Sequence, residues 1–286
     1  MSETVLRVDR VIRPDEATAI VGTHVGHELE PTLKSPRDGD RIRLVEKGET
    51  VALITRLPVA VKARLRATIL AINYSKGGVA RHNMTTAGVT FGYSPAKIMA
   101  RQEGCRVGAF ARDNPSQEAV LEDLARYLTV EFDELYPQQA QRDRDRIGKS
   151  ILDEWRMEES LWTSGIINRA NVLPYHRDGN NLDTWSAMPT LRYGMAGGYL
   201  HLPEYNVVFP CGDGDVTWFY GRGLVHGVTP LTKRRPDGYR FSIVYYALKG
   251  MVDCLTYAEE TVRVAERRTE RERAEAEKIR ARAIPG

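Results

Sequence analysis

The sequence has little cysteine, no long apolar run and almost no net charge, and each lack narrows what the chain can be. Its three cysteines, Cys105, Cys211 and Cys254, lie far apart and form no Cys-x-x-Cys pair. That predicts neither a disulfide framework nor a structural zinc site, and it fits a reducing compartment. No apolar run approaches the roughly 18 residues of a membrane-spanning helix, and the N-terminus lacks the basic-then-apolar pattern of a secretory signal. The expectation is a cytoplasmic protein with no membrane partner, made by a cell or by a virus inside one. A net charge of +3 gives no bulk attraction for nucleic acid, so any basic footprint must be local. With 286 residues, 42% of them hydrophobic and 28% charged, there is enough chain for one large domain with a substantial core and appendages.

Residues 1–57 read as short strands and turns. Asp38-Gly39-Asp40 is a turn signal, and Gly48 punctuates a hairpin between 42–45 and 50–54. Pro58 opens a helix to about residue 73, with Val59, Val61, Leu65, Ile69 and Ile72 as its apolar residues. Ser75-Lys76-Gly77-Gly78 is a loop. Asn114 and Pro115 suit the N-cap and first position of the next helix, whose Val120, Leu121, Leu124, Leu128 and Phe132 bury one face. A polar helix over 138–155 follows. From Trp162 onward, Gly, Pro and Asn divide short β-rich segments, among them 217–220, 224–228 and 240–247. Helices followed by many short strands predict an α+β fold, with helices packed on an antiparallel sandwich. After Tyr257 the chain is almost wholly charged, with Glu and Arg three and four apart, the pattern of a solvated helix. That tail reads first as an exposed extension and second as a contact for a partner or nucleic acid. There is no internal repeat.

The segment that carries chemistry is Pro174-Tyr175-His176-Arg177-Asp178-Gly179-Asn180-Asn181. Side chains two apart on a strand share a face, so His176 and Asp178 can reach one ion. A second histidine, His226, comes within Leu224-Val225-His226-Gly227-Val228. Two neutral imidazoles and one carboxylate are the facial ligand set of non-haem iron(II), which leaves open positions for a 2-oxo acid and dioxygen. The His-x-Asp spacing alone is weak, because chance supplies it readily, and a histidine among apolar neighbours is an ordinary core residue. Arg240-Phe241-Ser242 downstream changes the weighting. Arg240 and Ser242 share a strand face, and a buried arginine requires an anion. The far carboxylate of 2-oxoglutarate fits a guanidinium fork with a serine hydroxyl beside it.

In this order, His-x-Asp, His, then Arg-x-Ser, the sequence resembles the double-stranded β-helix (jelly-roll) 2-oxoglutarate dioxygenases. More narrowly it resembles the TET/JBP branch, in its phage-type and fungal-type members. The stretches that carry the likeness are Thr90-Phe91-Gly92-Tyr93, Thr163-Ser164-Gly165-Ile166-Ile167-Asn168, the Tyr175 to Asn180 motif, Gly197-Gly198-Tyr199-Leu200-His201-Leu202-Pro203-Glu204-Tyr205, Leu224 to Pro230, and Pro236-Asp237-Gly238-Tyr239-Arg240-Phe241-Ser242-Ile243-Val244-Tyr245-Tyr246. They span about residues 85–252. The resemblance implies a dioxygenase jelly-roll domain with supporting helices over 81–257, preceded by an α/β extension over 1–80 that packs on the core, and followed by the charged helical tail over 258–286. It implies Fe(II) held by His176, Asp178 and His226. It implies 2-oxoglutarate held by Arg240, with Ser242 and Asn168 as further contacts. It also implies DNA as partner and dioxygen as co-substrate, with oxidation of a pyrimidine 5-methyl group, 5-methylcytosine first and thymine second. The chain lacks the cysteine-rich zinc region of animal TET proteins, so it must grip DNA differently.

A base in a duplex cannot reach a buried metal unless it is flipped out, and its pocket needs an aromatic face and polar groups. The candidates near the motifs are Asn180, Asn181, Trp185, Tyr199, His201 and Tyr205; aromatics at such spacing are more often core. For phosphates, Lys233-Arg234-Arg235 is a compact basic loop to which Arg177 and Arg222 can add. Two other readings stand beside this one. The first is a 2-oxoglutarate hydroxylase of a free nucleotide, small molecule or protein side chain. The second is a catalytically silent jelly-roll that binds DNA.

Overall fold

The structure, a computed structural model, describes residues 2–74, 88–97 and 103–283. The loop expected at Ser75-Lys76-Gly77-Gly78 lies outside them. The chain opens with β1 (Glu3–Arg7), helix α1 (Pro14–Ala19) and the hairpin β2 (Arg41–Glu46) and β3 (Glu49–Arg56), then α2 (Val59–Leu70). Next come β4 (Val89–Ser94), β5 (Arg106–Val107), α3 (Ala109–Asp113), α4 (Pro115–Leu135) and α5 (Pro137–Ser150). The strand-rich part holds β6 (Ser164–Arg169), β7 (Ser186–Tyr193), β8 (Met195–Gly197), β9 (Leu200–Leu202), β10 (Val207–Phe209), β11 (Asp215–Phe219), β12 (Gly227–Val228), β13 (Leu231–Lys233) and β14 (Tyr239–Tyr246). Helix α6 (Tyr257–Ala283) follows.

Among the described residues the strands make a nine-stranded sheet, ordered β1-β2-β3-β11-β7-β14-β6-β4-β5, a facing three-stranded sheet, β10-β9-β12, and a β13-β8 ribbon. A single bridge between His176 and His226 adds a fourth segment to the smaller sheet. The core is therefore a jelly-roll of two facing sheets. Helices α2, α4 and α5 cover the outer face of the large sheet. Leu121, Leu124, Leu128 and Phe132 of α4 point into that layer, as their three-and-four spacing requires. Phe132 lies flat on Trp218 with ring centres 5.2 Å apart.

Three local expectations are corrected. Asn114 does not cap α4 with its side chain; its Nδ2 donates to Phe110 O, 3.2 Å away, closing the helix before it. The polar helix stops at Ser150, with a separate short turn over Asp153–Trp155. Cys105 and Cys254 are joined in a disulfide, Cα atoms 5.7 Å apart and 149 residues apart in sequence, which no spacing rule could reveal. Glu260 beside it accepts hydrogen bonds from Cys105 N, Leu255 N and Arg263, anchoring the start of α6. Because the bridge closes so long a loop, Cys105→Ser should lower stability by about 2–4 kcal/mol. The check is a melt of both proteins with and without reductant, in which reductant should affect only the unaltered chain.

Burial also leaves carboxyl groups uneasy. It raises the Glu118 and Glu131 carboxyls to about 7 and that of Asp143 to about 6. Glu118 Oε1 accepts the Gly92 N–H at 2.7 Å, which only partly offsets burial. Between the ordinary carboxylate range and these values, the folded chain keeps protons that the unfolded chain has released. Stability should therefore fall as pH rises from about 4.5 to about 7, by at most ~1.4 kcal/mol per pH unit for each group. Glu118→Gln should flatten that slope in melts across the same window, and an unchanged slope would refute the assignment to Glu118.

Candidate active site

His176 and His226 exchange both backbone hydrogen bonds, His176 N to His226 O at 2.8 Å and the reverse at 2.9 Å. This rung fixes one imidazole beside the other, ring centres 4.3 Å apart. His176 sits on an isolated bridge rather than in a regular strand, and Asp178 lies in the turn after it, held by Asp178 N to Gly221 O at 3.0 Å. A Cβ on Gly221 would come within 2.5 Å of Asp178 Oδ2, so glycine makes room for the carboxylate. The Asp178 oxygens lie 3.7 Å from His176 Nε2 and 3.7 Å from His226 Nε2.

Each imidazole has its Nδ1 on the carbonyl two residues back, His176 on Pro174 O at 2.8 Å and His226 on Leu224 O at 3.0 Å. A carbonyl only accepts, so Nδ1 carries the proton and the Nε2 lone pair faces Asp178, the outer-shell arrangement of metal-binding histidines. Burial, and then the neighbouring His176, push the His226 imidazolium down to about 4, which keeps it neutral and able to ligate. The three ligand atoms lie within 4.8 Å of one another. Two neutral nitrogens and a carboxylate converging on one point suit a divalent iron.

The face of the large sheet turned towards this cluster is organised in rows by strand pairing. Ser242 on β14 pairs with Asn168 on β6 and with Thr190 on β7, and Arg240 pairs with Arg192 one step along. Arg240 is 1% exposed. Its Nη1 donates to Ser242 Oγ at 3.2 Å, while Nε and Nη2 have no hydrogen-bond partner among the described residues. Arg192 beside it is saturated by the carbonyls of Pro210, Cys211, Met195 and Gly197. Buried polar atoms are nearly always paired, so the open donors of Arg240 mark a place for an anion. The Gly197-Gly198 pair lets the opposite strand approach. Both have left-handed backbone, and a Cβ on Gly198 would crowd Leu231 and sit 3.3 Å from Arg240 Nε.

A cleft of about 940 Å³ runs from the cluster to Asn168 and Ser242, lined also by His176, Asp178 and His226 but not by Arg240 or Thr190, with Asn180 and Asn181 beside Asp178. Asn168 is buried and its Oδ1 accepts Asn171 Nδ2 at 3.2 Å. Asn180 is exposed, whereas Asn181 is buried with an unpartnered Nδ2. The other substrate candidates lie elsewhere, save Arg177, which also lines the cleft. Leu200 takes the inward position on β9, so Tyr199 and His201 turn away. Tyr199 lies under the Arg192 guanidinium, and His201 Nδ1 shares a 2.6 Å hydrogen bond with the Tyr175 hydroxyl. Trp185 packs on Phe132, and Tyr205 bonds Arg10 and Glu46. Lys233, Arg234 and Arg235 are exposed on and after β13, which pairs with β8, and do not line the cleft. Arg177 and Arg222 are taken up by backbone carbonyls, Arg177 at Gly223 and Pro14 and Arg222 at Gly179 and Asn181.

Sequence reasoning missed Thr190, Gly221 and Phe219, whose ring meets the His226 ring edge-on at 5.0 Å. It also missed Lys97 and Lys249, exposed residues that line the cleft. The alternation Met188, Thr190, Arg192 on one strand was the signal available for Thr190.

No family model matches the chain, and no curated protein matches it in sequence. Among solved structures, it is similar to NgTET1 in complex with 5mC DNA, at 17% identity and a TM-score of 0.57, covering 85% of this chain and 94% of that one. It is also similar, at a lower TM-score of 0.44 and 17% identity, to an oxidoreductase of the 2OG-Fe(II) oxygenase family from Burkholderia pseudomallei, covering 68% of this chain and 88% of that one. Sheet order, the histidine rung and the NgTET1 likeness agree on one conclusion: this chain has the double-stranded β-helix fold, with helices packed on the outer face of its large sheet.

Proposed function

We propose that this chain is an iron(II)- and 2-oxoglutarate-dependent dioxygenase that hydroxylates the 5-methyl group of a pyrimidine in DNA, 5-methylcytosine before thymine. The observation that carries the reading is a cluster of two histidines and one aspartate lining a cleft that also takes in Ser242, the hydroxyl bonded by a buried arginine with two open N–H donors. His176, Asp178 and His226 would hold the iron. Arg240 and Ser242 would hold the far carboxylate of 2-oxoglutarate, with Asn168 beside them. Bound together, iron and 2-oxoglutarate would let dioxygen act as the oxidant, one oxygen atom converting C–H to C–OH and the other entering succinate as carbon dioxide leaves.

The chain's own residues supply position and dryness. Met188, Leu200, Phe219 and Val244 line the chamber and exclude water. The cleft is large enough for a base turned out of its stack. The open Nδ2 of Asn181 is a donor for a base edge near the metal. Lys97 and Lys249 are cations for the flanking phosphates, a better placement than the 233–235 loop. The DNA reading is further supported by the fold shared with a protein solved on 5mC DNA.

The test is incubation with iron(II), 2-oxoglutarate and oxygen on methylated and unmethylated DNA, duplex and single-stranded, followed by digestion and mass spectrometry of nucleosides. A 5-hydroxymethyl base on methylated DNA, absent with His176→Ala, is expected. No such base on any DNA form would reject the substrate.

A further inference from the structure

We infer that the Thr190 hydroxyl is a further donor to the carboxylate held by Arg240, and so a positioning residue for the co-substrate; the inference rests on the 2-oxoglutarate reading above. Inward-facing side chains of paired strands stand side by side. Thr190 on β7, Ser242 on β14 and Asn168 on β6 therefore form one polar row across the large sheet. All three are at least nine-tenths buried, and Thr190 is fully so. Ser242 and Asn168 at one end of the row line the cleft. The next row along holds Arg240.

Ser242 Oγ and Asn168 Oδ1 each have a partner, but Thr190 Oγ1 has none, nor do Arg240 Nε and Nη2. A buried hydroxyl that bonds nothing is costly and rare. Three such donor atoms in two adjacent rows share a simple explanation, an acceptor with several lone pairs. A carboxylate is one, able to take both a guanidinium fork and a hydroxyl. Asp215 stands on β11 beside β7, and its Oδ1 also has no hydrogen-bond partner among the described residues. Asp215 Oδ2 is taken by Ser35 Oγ at 2.5 Å and Gly212 N at 2.6 Å, and Oδ1 makes no hydrogen bond to Thr190. Because β7 and β14 fix the row relative to the metal cluster, a hydroxyl there also selects the length of the acid. Ser242 and Asn168 line the cleft that also holds the triad, so a 2-oxo diacid held at the metal would extend towards the row, whereas a short acid would stay at the metal.

The experiment is calorimetry with the full chain loaded with manganese(II), titrated with 2-oxoglutarate and, separately, with oxalate, which offers only the metal-binding end. Thr190→Val keeps the shape and removes the hydroxyl; Thr190→Ser keeps the hydroxyl. The expected result is about tenfold weaker 2-oxoglutarate binding in Thr190→Val, the worth of one hydrogen bond to a charged group. Thr190→Ser should bind within about threefold of the unaltered chain, and oxalate binding should not change in either. Unaltered 2-oxoglutarate affinity in a folded Thr190→Val overturns the inference alone. Equal losses for 2-oxoglutarate and oxalate also overturn it, because they mark a structural role. If Thr190→Val does not fold, Thr190→Ala removes the hydroxyl in its place: weaker 2-oxoglutarate binding with unchanged oxalate binding supports the geometry, and equal losses or no loss overturn it. No binding of 2-oxoglutarate by the unaltered chain overturns the inference together with the reading beneath it.

Discussion

Asp178→Ala should leave a folded protein that neither holds iron nor turns over substrate, with activity down by at least about a thousandfold, since even outer-shell changes at such sites cost about 10–100-fold. The carboxylate is the sole anion within reach of His176 Nε2 and His226 Nε2 among the described residues. Without it, two neutral imidazoles remain, and no charge balances a divalent ion. The side chain is partly exposed and accepts no hydrogen bond that the fold depends on; its backbone N–H holds the turn to Gly221. Stability should therefore change by less than about 1 kcal/mol. Anaerobic loading with iron and 2-oxoglutarate, read by metal content and by the visible charge-transfer band, checks both halves. A variant that keeps the band and its activity would refute the ligand assignment.

The second large effect separates function from stability. Arg240→Met should weaken 2-oxoglutarate binding by about a hundredfold or more, the worth of two charge-assisted hydrogen bonds. Yet the unliganded protein should melt no lower, and by as much as ~1–4 kcal/mol higher, because an uncompensated buried charge is replaced by an apolar chain of similar size. Burial already pulls the Arg240 guanidinium below its ordinary range, with only the Cys211 thiol to offset it, and Ser242 Oγ accepts its Nη1 N–H. Arg192→Met makes the contrast, since it would strand four carbonyls now bonded to that side chain; it should destabilise the protein. Opposite signs in the two melts are the result to look for. A large loss of stability in Arg240→Met, with 2-oxoglutarate binding intact, would make Arg240 structural.

The parts of the fold legible in the sequence are those where one residue type at one spacing has a single physical meaning. Leu121, Leu124, Leu128 and Phe132 could only be a buried helix face, and Arg240 to Tyr246 could only be a strand. The site was legible through order: His176, Asp178 and His226 come together, Ser242 lines the same cleft, and Arg240 bonds Ser242. What stayed hidden depends on pairing between distant strands. Whether Leu200 or its neighbours Tyr199 and His201 face inward is set by the register of β9 with β10 and β12, and the wrong choice reverses every side chain. Lys233 to Arg235 are close to the ligands in sequence but follow β13 to a separate ribbon. Cys105 and Cys254 meet only because α6 folds back beside β5.

The reciprocal rung between His176 and His226 has a consequence for motion. Because each amide is bonded to the other residue's carbonyl, the fluctuation that frees one N–H for exchange with solvent deuterium frees both, and it separates the two Nε2 atoms at the same moment. An ion that needs both nitrogens binds only the closed rung. At a metal concentration a hundred times the dissociation constant, it would suppress opening by about 2.7 kcal/mol. Deuterium uptake at two backbone amides and metal affinity at two imidazoles are therefore readings of one local equilibrium.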